Sequence, residues 1–390
     1  MRGSLRKING KFVTTIDVGI NPKTGKRQQQ KRVHKTEQAA DAHLATMLAQ
    51  VQADNYIPPT KIRTGEFLER WLRDYAGSTV NAVTFSNYRD NVHKQIIPEL
   101  GAIPLRHLTP GRIQAFYAKE LARPTRAGKP RSPATVRKTA QVLTTALGVA
   151  LREGLVTRNA AALASPPRGK KRRVPQWDVE QLALFFGECR RSRPHRYPVF
   201  LTAIGGGMRQ GELIGFKWPN LDWATGTAFV REKLYRLGGK QLEGPPKTEA
   251  GFRPVPLGPE VLEALREVER TKTEQKRLLG PDYHDRGFVF AQPNGKPLHG
   301  HNLNRRDLRG ICERAGIPRL RFQDIRHLHA TYCALANVPV RVTQERMGHS
   351  SSRITQEIYQ HTLSTQHQQA ALDVEAALFG RNVVERGPGR

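Results

Sequence analysis

The first 54 residues alternate in a way that is typical of a small sheet followed by a helix. Two runs rich in β-branched residues, Lys11–Val18 and Arg27–Val33, flank a Pro/Gly turn and predict a β-hairpin. A further short strand is expected near Ser4–Ile8. Thr36 can cap a helix that extends to about Asp54. Six helix residues are expected on the inner side: Ala39, Ala40, His43, Leu44, Met47 and Leu48.

After a Pro-Pro linker, apolar residues recur at helical spacing from Thr64 to about Ala164. The pairs Thr109-Pro110 and Ser132-Pro133 each combine a capping side chain with proline at the first helical position. This pattern predicts a helical bundle. Four side chains of its first helix are expected to face inward: Leu68, Trp71, Leu72 and Tyr75.

A basic second linker, Ser165–Arg173, precedes a third segment in which Asp178 is placed to cap the first helix. Further helices are predicted at residues 195–206, 209–217, 259–277, 301–315, 324–336, 339–347 and 353–360. Short strands are predicted at residues 227–231, 252–256 and 288–290. The whole pattern predicts a multidomain α+β chain with a sheet-plus-helix module (1–57), a helical bundle (62–164) and a mainly α domain with a small antiparallel sheet (174–380).

The composition adds a strong positive charge to this picture. The net charge is +30, and residues 1–60, 61–160 and 161–390 carry +6, +10 and +14. A multidomain chain that is basic throughout is typical of a protein that wraps a polyanion such as DNA. Charge alone also leaves open a ribosome-associated or simply basic protein.

Three widely separated cysteines, with no CxxC spacing, favour a reducing compartment over a disulfide framework. The N-terminus has no apolar core typical of a signal peptide, and no apolar run reaches the length of a membrane span. We therefore expect a bacterial cytoplasmic protein, associated with the nucleoid when bound to DNA. No Asp/Glu cluster or Cys/His set has the spacing of a nuclease metal site, so no metal is expected.

Candidate chemistry lies in the second half of the chain. Five residues could hold and attack a phosphodiester without metal: Arg209, Lys247, Arg326, His349 and Tyr359. Arginine offers a planar fork of donors that matches phosphate oxygens, and such donors stabilise the extra negative charge of the transition state. A tyrosine hydroxyl can form a covalent phosphoester, which divides one strand transfer into two steps.

The sequence contexts of these residues resemble the tyrosine recombinase (phage integrase) family over roughly residues 174–365. Gly207-Met208-Arg209-Gln210-Gly211-Glu212-Leu213 is similar to the family's Gly-Met-Arg-x-Gly-Glu-Leu. Lys247 stands in a Pro-Lys-Thr-x-x-x-x-Arg-x-x-Pro-Leu context. Met347-Gly348-His349 is similar to the family's Leu-Gly-His, and Tyr359 alone among nine tyrosines follows it at the family's spacing.

The resemblance implies a role for each residue. Tyr359 is the nucleophile, Arg209 and Arg326 bind the phosphate, and His349 donates to it. Lys247 protonates the leaving 5′ oxygen. Gln323 stands where the family usually has histidine; glutamine can donate to phosphate but cannot carry charge or shuttle a proton. His327 and His329 are interpreted as packing or capping groups.

The resemblance also implies an arm-type DNA-binding module (1–57), a core-binding domain of the SAM-like kind (62–164) and a catalytic domain (174–380). The alternative for the module is a plain accessory role without DNA binding. The basic linker either lies along the DNA backbone or is a solvated connector. The candidate DNA-binding residues are Lys11, Arg27, Lys31, Arg131, Arg137, Lys138, Lys170, Lys171, Arg172 and Arg173.

The implied function is that of an integrase that inserts or excises a phage or mobile element through a 3′-phosphotyrosyl intermediate, with no cofactor. The expected partners are double-stranded DNA attachment sites and a homotetramer on DNA, together with an excision factor and a DNA-bending protein. The apolar positions in Gln366–Phe379 are a candidate for docking on a neighbouring protomer or for packing in cis. The alternatives are a chromosome-dimer or plasmid resolvase, a type IB topoisomerase, and a non-catalytic basic DNA-binding regulator.

Overall fold

The protein is described here from a computed structural model. The structure describes residues 3–20, 27–52, 62–169, 174–349, 351, 355, 356 and 359. Contacts between residues divide the chain into two compact units, Met1–Lys171 and Arg172–Arg390. None of the helices in the described ranges is both long and apolar enough to cross a membrane.

The N-terminal module is a three-stranded antiparallel sheet covered by one helix. Its strands are β1 (Gly3–Ile8), β2 (Lys11–Ile20) and β3 (Arg27–His34), in that spatial order, and its helix is α1 (Glu37–Gln52). The backbone N–H of Ala39 donates to the Thr36 hydroxyl, which confirms the predicted cap.

The face of the sheet that α1 covers is marked by buried Thr14 and Ile16. These two residues pair with Arg32 and Gln30 of β3, so Arg32 shares their face. Lys31 belongs to the opposite, solvent-exposed face. Ala40 of α1 is buried, whereas Ala39 is exposed, so the prediction of Ala39 on the inner side is wrong.

The helical part of the first unit has its own core, which runs from Phe67 to Ala161. Leu68, Trp71 and Leu72 are buried as predicted, and Tyr75 packs against them half-buried. The helices are α2 (Thr64–Trp71), α3 (Gly77–Thr79), α4 (Ala82–Asn91), α5 (Ile97–Leu100), α6 (Pro110–Ala122) and α7 (Pro133–Arg152), with π-helical turns at Leu72–Ala76 and Val92–Ile96.

Both proline-led helix starts of this bundle are confirmed. The Thr109 hydroxyl accepts from the backbone N–H of Arg112, and the Ser132 hydroxyl accepts from that of Thr135. Pro110 and Pro133 occupy the first helical positions, where a missing N–H costs no hydrogen bond.

The second unit is mainly helical around one large core that extends from Trp177 to Leu328. Asp178 accepts from the backbone N–H of Gln181 at the first helix, as predicted. The helices are α8 (Val179–Ser192), α9 (Tyr197–Gly206), α10 (Gln210–Ile214), α11 (Pro259–Leu279), α12 (Gly300–Asn302), α13 (Arg309–Ala315), α14 (Phe322–Leu335) and α15 (Val340–Met347), with a π-helical turn at Leu303–Leu308.

Two small antiparallel sheets accompany these helices. The first has the order β4-β5-β8, and the second is the hairpin β6-β7. The strands are β4 (Leu221–Asp222), β5 (Thr227–Val230), β6 (Lys233–Leu237), β7 (Lys240–Gly244) and β8 (Arg253–Pro256). The predicted strand at 288–290 is wrong, because only an isolated bridge forms there, between Phe288 and Lys217.

The multidomain α+β prediction is confirmed, with differences at the ends of several elements. The helix predicted at 209–217 ends at Ile214, and the one predicted at 324–336 begins at Phe322, because Asp324 accepts from the Arg321 backbone N–H at its start. In the predicted helix 353–360, Thr355, Gln356 and Tyr359 are helical. The other residues of that helix lie outside the described ranges. So do the predicted Pro/Gly turn at residues 21–25, the Pro-Pro linker, Lys170–Arg173 and Gln366–Phe379.

Candidate active site

Arg209 lies at the start of α10, directly after a sharp turn. Helix α9 ends at Gly206, and Gly207 adopts a left-handed conformation with φ of 60°. A β-carbon at Gly207 would come within 2.5 Å of the His329 ring, so this position needs glycine. The backbone N–H of Arg209 donates to Glu212 Oε2 at 3.0 Å, and its Nη1 donates to Glu212 Oε1 at 2.7 Å. The helix start therefore fixes the guanidinium, whose side chain is 38% exposed.

Arg326 projects from α14 into the same region and is only 7% exposed. Its Nη1 donates to the Gly207 carbonyl at 2.7 Å, and its Nη2 donates to the Met347 carbonyl. Burial, together with the charges of Arg209 and Arg253, lowers the pKa of Arg326 to about 9 against the opposing effect of Glu212. Burial and the neighbouring positive charges thus destabilise the charged form of this guanidinium, and a bound anion would stabilise it.

His349 follows the C-terminus of α15. Gly348 ends this helix in a left-handed conformation, φ 59°, as predicted for a C-cap, and its carbonyl accepts from Arg209 Nη2 at 2.8 Å. His349 Nδ1 lies 2.9 Å from the Thr355 hydroxyl. Burial, together with the charges of Arg326 and Arg209, lowers the pKa of His349 to about 4. The imidazole is neutral at physiological pH and can act as a hydrogen-bond donor without net charge.

Arg209, Arg326 and His349 are therefore brought together although 117 and 23 residues separate them along the chain. Lys247 lies in an exposed bend after β7, before the short 3-10 turn Glu249–Gly251. Burial lowers the pKa of Lys233, the first residue of β6, and the charges of Lys247 and Arg209 lower it further. These effects put both lysines at the edge of the cluster of cations.

Tyr359 is not joined to that cluster. Its side chain is 7% exposed, and its hydroxyl donates to the Val338 carbonyl at 2.7 Å and lies 2.6 Å from the Thr343 hydroxyl. Burial raises the pKa of Tyr359, and the nearby Cys333 adds to that effect while the Thr343 hydrogen bond opposes it. The hydroxyl is thus held in a polar pocket formed by α15 and the residues just before it.

Comparison with known proteins shows which family the chain belongs to. The model of the "Phage integrase family" matches residues 175–366, and that of the "Phage integrase, N-terminal SAM-like domain" matches residues 65–121. The chain belongs to the phage integrase family. It is a tyrosine site-specific recombinase.

Relatives of similar length support this identification. An integrase of Saccharopolyspora erythraea is 27% identical and covers 81% of this chain and 82% of its own. A XerC-like tyrosine recombinase of Caldanaerobacter subterraneus is also 27% identical, over 92% and 94% of the two chains. The integrase of Mycobacterium phage L5 is 26% identical, over 86% and 87%.

Solved structures share the fold. The integrase of transposon Tn1549 in complex with a circular intermediate DNA has a TM-score of 0.67 and 17% identity, and covers 79% of this chain and 99% of that one. A lambda integrase tetramer bound to a Holliday junction has a TM-score of 0.56 and 19% identity, over 91% and 94% of the two chains.

Several residues of the integrase site make contacts that were not predicted from the sequence. Glu212 and Arg253 form a buried ion pair of 2.9 Å beside Arg209, and Thr343 and Thr355 bond to Tyr359 and His349. Arg253 and Thr355 were visible only as letters of the family motifs around Lys247 and Tyr359, and Thr343 carried no signal in the sequence. His329, expected to be a packing or capping group, is buried and its Nδ1 bonds the Ile204 carbonyl at 2.7 Å.

The candidate DNA-binding residues have different surroundings. Arg137 and Lys138 are exposed on α7, and Lys11 and Lys31 are exposed on the sheet. Arg131 instead bonds the buried carboxylate of Glu120, which Arg123 also contacts. Arg27 is paired with Asp17 at 2.7 Å. Lys170–Arg173 lie outside the described residues. Among the described residues, no group of three His, Cys, Asp or Glu side chains could hold a metal ion.

Gln323 is exposed near the start of α14, about one turn before Arg326. We expect Gln323→His to be tolerated or to raise the rate slightly, because the position is open and needs only a hydrogen-bond donor. The measurement is the single-turnover rate of DNA cleavage on a nicked site. A loss of more than about 100-fold, equal to about 2.7 kcal/mol of barrier, would assign Gln323 a specific role of its own.

Proposed function

We propose that this recombinase is the integrase of a phage or another mobile element, and that Tyr359 breaks and rejoins two double-stranded attachment sites through a 3′-phosphotyrosyl bond. The observation that carries the proposal is the convergence of Arg209, Arg326 and neutral His349 on the turn at the end of α15. Guanidinium groups that now bind carbonyl oxygens are in a position to bind phosphate oxygens more strongly, because charge-assisted hydrogen bonds are the stronger ones.

In the proposed reaction, the Tyr359 oxygen forms a bond to the scissile phosphorus as the bond to the 5′ oxygen breaks. The tyrosine proton passes to solvent, and Lys247 supplies a proton to the leaving 5′ oxygen. Arg209 and Arg326 stabilise the additional negative charge of the pentacoordinate transition state, and His349 and Gln323 donate hydrogen bonds. A 5′ hydroxyl of the partner duplex then attacks the phosphotyrosine, so that a new phosphodiester forms and the tyrosine is released. Bond energy is conserved, so no ATP is consumed.

Tyr359 has to leave its polar pocket before it can attack. We predict that Thr343→Val speeds adduct formation up to about fivefold, because the resting position loses one hydrogen bond worth about 1 kcal/mol. Thr331→Val is the matched control, since this buried hydroxyl bonds its own helix, at the His327 carbonyl. A Thr343→Val enzyme that is slower than wild type at unchanged melting temperature would show that the pocket serves the reaction instead of restraining it.

We propose an arm-type DNA-binding module at residues 1–57, a core-binding domain at 62–164 and the catalytic domain at 174–380. Arg137 and Lys138 on α7, Arg131, and the linker Lys170–Arg173 are proposed to contact the duplex near the scissile phosphates. The intramolecular bond of Arg131 to Glu120 favours a structural part for that residue.

The outer face of the N-terminal sheet is the proposed reading surface. Lys31 and Gln29 are exposed there, with Lys11 and Arg27 at the margins. In the full-length protein, Lys31→Gln should weaken binding to the DNA flanking the mapped junction about tenfold. Arg32→Gln, with the same change of charge on the helix-covered face, should have a much smaller effect. Equal effects of the two variants would mean that the module contributes only general charge. Titration at physiological salt measures both.

We further propose that the protein acts as a homotetramer in the bacterial cytoplasm, where its DNA lies, with an excision factor and a DNA-bending protein as additional partners. The lambda integrase tetramer on a Holliday junction, which has this fold, supports the tetramer. A resolvase of the same chemistry is the second candidate, but the N-terminal module favours the integrase.

The proposed function is tested by incubating the purified protein with two duplexes that carry the mapped junction sites of the element. We expect reciprocal recombinant products and a four-way intermediate. Relaxation of supercoils without any preference for the sites would instead indicate a topoisomerase, and binding without strand exchange would indicate a regulator.

A further inference from the structure

Arg253, at the start of β8, is buried next to the active site, and each of its three guanidinium nitrogens donates a hydrogen bond to a protein group. Its Nη2 donates to Glu212 Oε2 at 2.9 Å, its Nε to the Arg346 carbonyl at 2.6 Å, and its Nη1 to the Gly251 carbonyl at 3.1 Å. Arg253 is 7% exposed and Glu212 is 3% exposed. Charges buried to this degree are costly unless each one is paired and hydrogen-bonded. The pair of Arg253 and Glu212 is therefore a specific structural element of the site and not an incidental surface contact.

Glu212 is shared between two arginines. One carboxylate oxygen accepts from Arg209 Nη1, and the other accepts from Arg253 Nη2 and from the Arg209 backbone N–H. Burial raises the pKa of Glu212, but the charge and hydrogen bond of Arg253, together with the hydrogen bonds of Arg209, hold it below its ordinary value. Because Arg253 satisfies part of this carboxylate, Arg209 is not the sole counter-ion of Glu212 and keeps attraction available for a phosphate.

Three consecutive carbonyls at the end of α15 each accept a hydrogen bond from a different arginine. Arg346 O binds Arg253, Met347 O binds Arg326, and Gly348 O binds Arg209. The turn fits closely against Arg253, since a β-carbon at Gly348 would come within 3.0 Å of the Arg253 Cδ and 2.5 Å of the Ala250 carbonyl. His349 follows directly, so its position depends on this contact.

We propose that Arg253 is a positioning residue for DNA cleavage. Through Glu212 it sets the orientation of Arg209, and through the Arg346 carbonyl it fixes the turn that carries His349. It acts through these protein contacts and not through the phosphate, since all three of its guanidinium nitrogens donate to protein groups. The inference rests on the proposed function, in which Arg209 and His349 contact the scissile phosphate.

Removing the charge has a definite consequence. In Arg253→Gln, Glu212 keeps Arg209 as its only cationic partner, so the Arg209 guanidinium is drawn towards the carboxylate and away from the phosphate. We expect adduct formation to slow about 100-fold, in the range found for losing one transition-state donor. Binding of uncleaved DNA should stay close to wild type. Arg253→Lys, which retains the charge but not the forked geometry, should recover part of the rate.

A double-mutant cycle distinguishes positioning from a loss of folding. Single-turnover adduct formation is measured on a nicked duplex with the mapped core site, for wild type, Arg253→Gln, Arg209→Gln and the double variant. If Arg253 acts through Arg209, its substitution changes the rate of the Arg209→Gln enzyme by no more than about twofold to threefold. Arg196→Gln is the control, because it breaks another ion pair of the same unit, with the buried Asp307, and should change the rate by the same factor in both backgrounds.

Two results would overturn the proposal. One is an Arg253→Gln rate within about threefold of wild type, and the other is an equal loss with and without Arg209, which would mean that Arg253 does not set the orientation of Arg209. If Arg253→Gln does not fold in a melting experiment, Arg253→Met, which also removes the charge, replaces it in the same cycle with the same two criteria. If the wild-type enzyme forms no adduct at all, the proposed function fails first, and that outcome is visible before any variant is compared.

Discussion

The Tyr359→Phe variant is expected to form no covalent adduct on a nicked site, while binding the same DNA as tightly as wild type. The substitution removes one oxygen atom and little shape, so the buried ring keeps its contacts. The hydroxyl bonds to Val338 and Thr343 are lost only in the resting position. Because the oxygen is the proposed nucleophile, no other group of the site can replace it.

Tyr332→Phe is the matched control for this experiment. Tyr332 is half-buried in the same unit, and its hydroxyl donates to the Trp177 carbonyl at 3.3 Å. Its removal should leave the adduct rate unchanged within about threefold. Adduct at the wild-type level from Tyr359→Phe would assign the nucleophile to another residue, and loss of adduct from both variants would indicate a general effect on the fold.

The second large effect is expected at Arg326. In Arg326→Lys, one ammonium group cannot donate to the Gly207 and Met347 carbonyls together and also face a phosphate, as the forked guanidinium can. Cleavage should therefore slow by about 1000-fold, near the upper end of the range for losing a preorganised donor. The measurement is the single-turnover cleavage rate at saturating protein, with melting temperatures as a check on folding.

Arg341→Lys is the control for Arg326. Arg341 lies on α15, close in sequence to the site, but its side chain is 89% exposed and pairs with Glu345 of the same helix. We expect a wild-type rate. An Arg326→Lys enzyme within tenfold of wild type would show that the fork is not needed, and that one positive charge suffices at this position.

The predictions that held are those that depend on neighbouring residues. Asp178, Thr109 and Ser132 cap their helices through contacts three residues away, which a sequence displays directly. Motif residues that lie far apart were assigned through the family resemblance, and the structure then brought Arg209 and the Gly348 carbonyl together across 139 residues. No local pattern predicts such a contact.

The failures have physical reasons too. The hairpin β6-β7 was missed because its two strands are rich in charged and polar residues and poor in β-branched ones, although the Gly238-Gly239 pair between them is a turn signal. Residues 288–290 look like a strand because they are apolar, yet they are buried core residues with only one bridge. The buried pair of Arg253 and Glu212 and the pocket of Tyr359 are products of tertiary packing, which sequence spacing does not contain.

The most direct test is the chemical identity of the covalent adduct. A nicked duplex with the mapped core site is incubated with the full-length protein in excess EDTA, the complex is denatured and digested, and the peptide that carries DNA is sequenced by mass spectrometry. The account predicts an adduct in EDTA, with the DNA attached through its 3′ phosphate to Tyr359 and a free 5′ hydroxyl on the released strand. An adduct at another residue, a 5′ linkage, or cleavage that appears only when magnesium is restored would contradict it.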